Sequence, residues 1–249
     1  MRRFMQALRA LRLLFGGLGV TIVTLALLYP GLLIPGKAGR RWYMRISKCW
    51  GRSLVWLAGA TIRITHPDLL AQAKGLVVMP THASWLDIPL LYAVLPGDIR
   101  FVMKRELKKK PVLGWYLWLC GHFFLERGSE HRQRREAKLL FGEVGEAMDA
   151  DPNITTVIFP EGTRSPDGYL QELQAGTLEI GLQAGRSILA IALQGCSAII
   201  PKGRSLPVQK GIVVVGVHDP IATKGKKRRQ LAPELHEAYV QCGALVRPT

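Results

Sequence analysis

The sequence predicts an α/β fold: a largely parallel sheet covered by helices, preceded by an N-terminal membrane-associated helical segment. Three observations predict it. Seven short apolar runs recur between residues 62 and 217, with polar or helix-compatible stretches between them. Ala137, Leu140, Phe141, Val144 and Met148 form an apolar stripe at helical spacing. Residues 13–36 contain no charged side chain at all. Strands alternating with helices imply parallel pairing, with helices as the crossovers.

The first element is the uncharged run. Pro30 and Pro35 interrupt it, so Leu13 to Tyr29 is its best helix. Those 17 residues span roughly 25 Å, slightly short of a hydrocarbon core. Arg2, Arg3, Arg9 and Arg12 precede the run; Lys37, Arg40, Arg41 and Arg45 follow it. Cations on both sides fit a re-entrant or interfacial helix better than one crossing. The run lacks a small-x-small cleavage site of the kind a signal peptide carries.

A second amphipathic helix follows. Arg41, Arg45, Lys48 and Arg52 make one stripe; Tyr43, Ile46, Trp50, Leu54 and Leu57 make the other. A basic helix with Trp on its apolar side suits an anionic lipid surface, although a core-packing helix with a solvated cationic face has the same pattern. Residues 1–58 therefore read as a membrane-associated helical segment and residues 59–249 as the α/β domain. Its strands are expected at 62–65, 76–79, 100–103, 123–125, 156–159, 188–192 and 212–217.

Composition narrows the partners. The 249 residues carry 34 Lys+Arg against 18 Asp+Glu, a net charge of +16. That favours an anionic partner such as a lipid surface or a phosphorylated substrate. A nucleic-acid binder would share the charge but not the uncharged run, and no recognition motif accompanies it. Cys49, Cys120, Cys196 and Cys242 are far apart and read as free thiols of a reducing compartment. His, Asp and Glu are not grouped at metal-ligand spacing, so no metal is expected.

Two strand ends carry chemistry. The run 155–158 is followed by Phe159-Pro160-Glu161-Gly162-Thr163-Arg164-Ser165. Strand ends that open into polar, Gly-containing turns are where α/β sheets bind ligands. Arg164 has the planar fork that suits phosphate, and Gly162 lets backbone N–H groups approach an anion. The run 76–79 is followed by Thr81-His82-Ala83-Ser84-Trp85-Leu86-Asp87. There Asp87 can hold one imidazole nitrogen of His82 and leave the other free to take a proton. Ser84-x-x-Asp87 is equally the pattern of a capping box, and Asp87 of an N-cap before Pro89.

In this order and spacing the residues resemble the glycerolipid acyltransferases, closest to the bacterial 1-acyl-sn-glycerol-3-phosphate acyltransferases. The resemblance rests on His82-x4-Asp87, on 101–115, on Gly121-His122-Phe123-Phe124-Leu125-Glu126-Arg127 and on Phe159 to Ser165. The chain departs from the family at Thr81, Glu126, the stretch 173–176 and Ala190. The resemblance implies acyl transfer from acyl-CoA or acyl carrier protein to lysophosphatidic acid, with no cofactor beyond that co-substrate. His82 would be the general base and Asp87 its orienting partner. Arg127 and Arg164 would hold the acceptor phosphate; Gly162 and Thr163 would shape the turn, and Glu161 would bind the acceptor or position Arg164. Another lyso-lipid or glycerol-3-phosphate is the alternative acceptor. A non-catalytic basic protein bound to membrane or nucleic acid is the remote alternative. The expected location is the cytoplasmic face of the cell membrane, with a phospholipid surface as partner and no nucleic acid.

Overall fold

A computed structural model of the chain describes residues 2–34, 36–110, 113–125, 130–203 and 209–247. Helices α1 (Arg2–Leu32) and α2 (Gly36–Ala58) come first, followed by β1 (Ala60–Ile64) and α3 (Pro67–Ala71). Then come β2 (Val77–Pro80), α4 (Asp87–Val94) and β3 (Asp98–Lys104), a 3-10 turn (Arg105–Lys109), α5 (Leu113–Leu119) and β4 (Phe123–Leu125). The second half holds α6 (Glu130–Ala150), β5 (Ile154–Val157), α7 (Ala175–Gln183), β6 (Ile188–Gln194), α8 (Cys196–Ile199), β7 (Gly211–Val217) and α9 (Arg228–Gln241).

The strands form one seven-stranded sheet in the order β1-β7-β6-β2-β5-β3-β4. Five of them, from β6 to β4, run parallel. β7 meets β6 antiparallel, and β1 pairs parallel with β7, so this edge is reversed. All seven expected strands are present, with ends moved by a few residues. The sheet is buried on both faces, as the continuous apolar runs require. Val78, Leu189, Ile191, Val213 and Val215 point into the layer of α2 and α4. Val77, Met79, Ile188 and Ala190 point into the layer of α6, α7 and α9. Leu140, Phe141, Val144 and Met148 supply the expected stripe of α6; the side chain of Ala137 lies outside the described set.

The N-terminal helices form an antiparallel hairpin. Arg12 donates to the Trp56 carbonyl, Trp50 to Thr21 Oγ1 and Trp42 to the Leu27 carbonyl. α1 runs on through Pro30, which sits in its last turn, where a missing N–H costs one bond. α1 is long and apolar enough to cross a membrane by length and composition, yet it lies along α2 with Leu13 and Leu28 buried. Here the structure corrects the reading of α2. Its apolar stripe faces protein: Met44, Leu54, Val55 and Leu57 join the core beneath α4. Gly51 makes this close; a Cβ there would stand 2.5 Å from the Pro89 carbonyl oxygen. Its cationic stripe faces outward, and Arg41, Arg45 and Lys48 border a groove with Lys74, Asp98 and Asp151. A protein core and a lipid layer select the same apolar stripe, and here the core takes it. The boundary at residue 58 therefore does not separate two cores.

Candidate active site

β2 and β5 are neighbours in the parallel part of the sheet, so the loops at their C-terminal ends meet. The loop after β2 carries His82. Its backbone N–H donates to Glu161 Oε1 at 2.6 Å, and its carbonyl accepts from the Ser165 N–H at 2.7 Å. Two motifs 79 residues apart are thus laced together through the main chain of one histidine.

The side chain is held as firmly. His82 Nδ1 lies 2.8 Å from Asp87 Oδ2. That same oxygen accepts the N–H groups of Ala83 and Ser84, at 2.9 and 2.8 Å. A fully buried carboxylate with three donors on one oxygen is an acceptor, so the His82 proton sits on Nδ1 and Nε2 carries the lone pair. The His82 side chain keeps 13% of its surface exposed, and among the described residues Nε2 has no hydrogen-bond partner. Its ring stacks on Phe159, with centroids 3.8 Å apart and planes 19° apart. An imidazolium formed on this ring would meet the electron-rich face of Phe159.

Asp87 opens α4, but it is not the N-cap; Leu86 is, and it makes no side-chain cap bond. The Ser84-x-x-Asp87 capping bonds form as well, since Asp87 Oδ2 accepts the Ser84 N–H and Ser84 Oγ accepts the Leu86 N–H, and the same carboxylate gathers its loop around His82. Asp87 Oδ1 is buried without a hydrogen-bond partner of good geometry. The Cys196 thiol lies against this carboxylate; burial, then the Asp87 charge, raise its pKa far above the ordinary thiol value. Ser84 is fully buried and donates to the Ile200 carbonyl, so it is a loop brace and no nucleophile. Thr81 likewise accepts the Leu193 N–H at 2.8 Å.

Glu161 lines the same cleft as His82 and is bonded to backbone on both sides. It is 2% exposed, and its second oxygen accepts the Gln171 N–H at 3.1 Å. Burial pushes its pKa up to about 7, against the pull of the two backbone donors; the Asp87 charge adds to the rise. Its contacts brace the His82 loop, a role that the sequence reading does not assign to it. Gly162 has φ +67°, the left-handed region that favours glycine, and its N–H is spent on the Phe159 carbonyl. Its use is therefore to turn the chain, not to offer that N–H to an anion. Thr163 is exposed beside it. Arg164 is half-buried, and among the described residues its guanidinium has no ion-pair or hydrogen-bond partner. Lys202 Nζ caps the Arg164 carbonyl and brings a second cation to the turn. Arg127 lies outside the described residues.

The middle block contributes structure. His122 is buried, and its Nδ1 accepts the Phe101 N–H at 3.1 Å, so Nε2 carries the proton and faces the Tyr92 hydroxyl at 2.9 Å. Burial, with the Arg100 charge second, pulls its pKa down to about 3, and it stays neutral. Phe159 and Gln171 are the residues that sequence reasoning left without a role. The stacking of Phe159 was hidden inside a quoted motif, whereas nothing in the sequence marks Gln171.

Comparison with known proteins gives the family and the fold. The sequence pattern of the family described as Acyltransferase matches residues 61–194. The chain belongs to the Acyltransferase family. A lyso-ornithine lipid O-acyltransferase of Pseudomonas aeruginosa is 26% identical over 220 residues, covering 82% of this chain and 81% of that one. Human 1-acyl-sn-glycerol-3-phosphate acyltransferase beta is 29% identical over 174 residues, 70% of this chain and 60% of its own length. An uncharacterised acyltransferase of Schizosaccharomyces pombe is 29% identical over 177 residues. The chain spans about 60% of the length of these last two relatives. Among solved structures, the 1-acyl-sn-glycerophosphate acyltransferase of Thermotoga maritima superposes with a TM-score of 0.79, covering 97% of this chain and 96% of that one at 24% identity, which establishes the shared fold.

Proposed function

We propose that the protein transfers an acyl chain from a thioester, acyl-CoA or acyl carrier protein, to the free hydroxyl of lysophosphatidic acid, giving phosphatidic acid. The observation that carries this reading is the His82–Asp87 dyad, laced to the turn that carries Arg164, with neither Nε2 nor the guanidinium bonded to a partner among the described residues. Nε2 takes the proton of the acceptor hydroxyl as that oxygen attacks the thioester carbonyl. Asp87 holds the ring in the correct tautomer and stabilises the imidazolium. Collapse of the tetrahedral intermediate expels the thiolate, which receives the proton from His82. Arg164, with Arg127 from the neighbouring block, holds the acceptor phosphate through a bidentate fork. No cofactor takes part beyond the acyl donor.

The Pseudomonas aeruginosa relative, matched over 82% of this chain and 81% of its own length, acts by name on a lyso-ornithine lipid, and this favours one second reading. An anionic group other than phosphate would then face Arg164. The membrane partner is a phospholipid surface met by the exposed side of α1, where Phe15, Leu18 and Ile22 project outward. Four unpaired thiols fit the cytoplasmic face of the cell membrane.

The test is an acceptor panel with the full chain in detergent, offered both donors. Lysophosphatidic acid should be acylated fastest, and His82→Ala should lose roughly 10²-fold or more in kcat while still folding. Arg164→Lys should raise acceptor KM and leave donor KM alone, because lysine keeps the charge without the fork. Wild-type turnover by His82→Ala would sink the mechanism; preference for lyso-ornithine lipid would move the acceptor to the second reading.

A further inference from the structure

α5 has an outer face that the acyl-transfer chemistry does not use. Its inner side is anchored: Gly114 and Leu117 are buried, and the Tyr116 hydroxyl meets Ser47 Oγ of α2 at 2.8 Å. Its outer side presents Leu113, Trp115 and Trp118, which are 44, 47 and 57% exposed. Two tryptophans one helical turn apart on a seven-residue helix form an apolar patch that a water-facing surface rarely keeps.

Two neighbours say what covers this patch. On one side it continues into α1: Tyr29 meets Trp115 edge-on, with centroids 6.0 Å apart. The patch thus extends the exposed apolar side of the helix already assigned to the lipid surface. On the other side lies the turn Arg105–Lys109. Residues 104–110 hold five cations, Lys104, Arg105, Lys108, Lys109 and Lys110, against the single acid Glu106. Lys108, Lys109 and Lys110 are exposed. Lys108 Nζ lies over the Phe124 ring, 5.6 Å from its centroid, so its charge is carried beside apolar surface. Tryptophans bordered by lysines are what the headgroup layer of an anionic bilayer selects. A second copy of the chain fits less well, because a two-fold contact would bring the same lysine rim to both sides of one interface.

We propose that α5 and the lysine turn before it form a second membrane-docking surface, seated on a bilayer that contains anionic phospholipid. α1 by itself is a line of attachment and leaves the body free to roll about the helix axis. A second contact displaced from that axis fixes the roll, and with it the angle at which the C-terminal edge of the sheet meets the lipid. The inference rests on the membrane attachment proposed for α1 and not on the transfer reaction, so it stands or falls separately from the acceptor.

The test uses the full chain and two vesicle types, phosphatidylcholine alone and phosphatidylcholine with phosphatidylglycerol, at limiting lipid. Trp115→Ala/Trp118→Ala should sediment less with both. Lys108→Gln/Lys109→Gln/Lys110→Gln should lose preference for the phosphatidylglycerol vesicles, by about fivefold for each lysine, and its binding should respond less to salt. In the wild type, phosphatidylglycerol vesicles should protect amides 113–119 from hydrogen exchange. The exchange measurement needs no variant, so a misfolded mutant leaves the proposal open to refutation. Unchanged exchange at 113–119 overturns it, as does a lysine variant that keeps the wild-type lipid preference. Self-association in detergent that the double tryptophan variant abolishes would assign the patch to a second copy instead.

Discussion

Replacing Glu161 by glutamine separates a brace from a substrate ligand. The carboxylate is buried and accepts the N–H groups of His82 and Gln171. Burial is the main reason its pKa rises from 4.5 to about 7. The folded protein therefore holds this proton more tightly than the unfolded chain. The associated stability is complete below about pH 4.5 and is lost as pH climbs through about 7. A displacement of ~2.5 units, at ~1.36 kcal/mol each, amounts to about 3 kcal/mol. Glutamine cannot titrate. It also turns an NH₂ toward one of the two backbone donors, a pH-independent cost of about 1–3 kcal/mol. The assay is the unfolding free energy of both proteins in one detergent from pH 4.5 to 8. The wild type should lose about 3 kcal/mol relative to Glu161→Gln across that window. In parallel, kcat should fall while acceptor KM holds, because a displaced His82 backbone misplaces Nε2. A pH-independent stability difference would refute the buried titrating brace. A rise in acceptor KM alone would return Glu161 to the acceptor.

Three further outcomes follow from the geometry. Asp87→Asn should lower kcat by on the order of 10²- to 10⁴-fold, since the amide no longer fixes the Nδ1–H tautomer; a pH–rate profile of the residual activity is the check. Gly162→Ala should cost about 1–2 kcal/mol, read as a lower melting temperature, because a Cβ is strained at φ +67°. Of the four cysteines only Cys49 is exposed, so one thiol should react quickly with a disulfide reagent in the native protein and four after unfolding.

The strands were legible because a strand buried on both faces must be a short apolar run, and few other structures here are. The parallel pairing of the central strands was legible too, but the reversal at one edge was not. The runs of β1 and β7 read the same forwards and backwards; among the described residues only the short α8 lies between β6 and the antiparallel β7, in place of a full crossover helix. The fate of α2 was illegible for a related reason: only the presence of α4 beneath Gly51 decides that its apolar stripe meets protein. At the site, His82 and Asp87 share one short loop, so their spacing carried the dyad. Glu161 and His82 are bound through a side chain and a backbone amide 79 residues apart, a pairing that leaves no periodic trace. Burial of Glu161 also needs the sheet order, since it arises only because β5 lies next to β2.

That lacing explains why a loop can carry the proposed base. A histidine on a free loop would spend catalytic advantage on being ordered at each turnover. Here order is built in before any substrate arrives. The His82 main chain is bonded on both sides, its ring lies on Phe159, and Nδ1 is tied to Asp87. Nε2 is the one polar atom of the residue left without a partner among the described residues. The same lacing fixes the path from His82 to Arg164, because Ser165, the next residue, holds the His82 carbonyl. In the proposed mechanism a phosphate gripped by Arg164 would stand at a distance from Nε2 limited by this backbone link and the reach of the arginine side chain. A lyso-lipid that presents its hydroxyl at that distance is activated, and one with a longer or shorter bridge between anion and hydroxyl is bound without being acylated. Acceptor choice in this reading is a matter of reach along the substrate, so acceptors of graded anion-to-hydroxyl spacing should share similar affinities and differ in kcat.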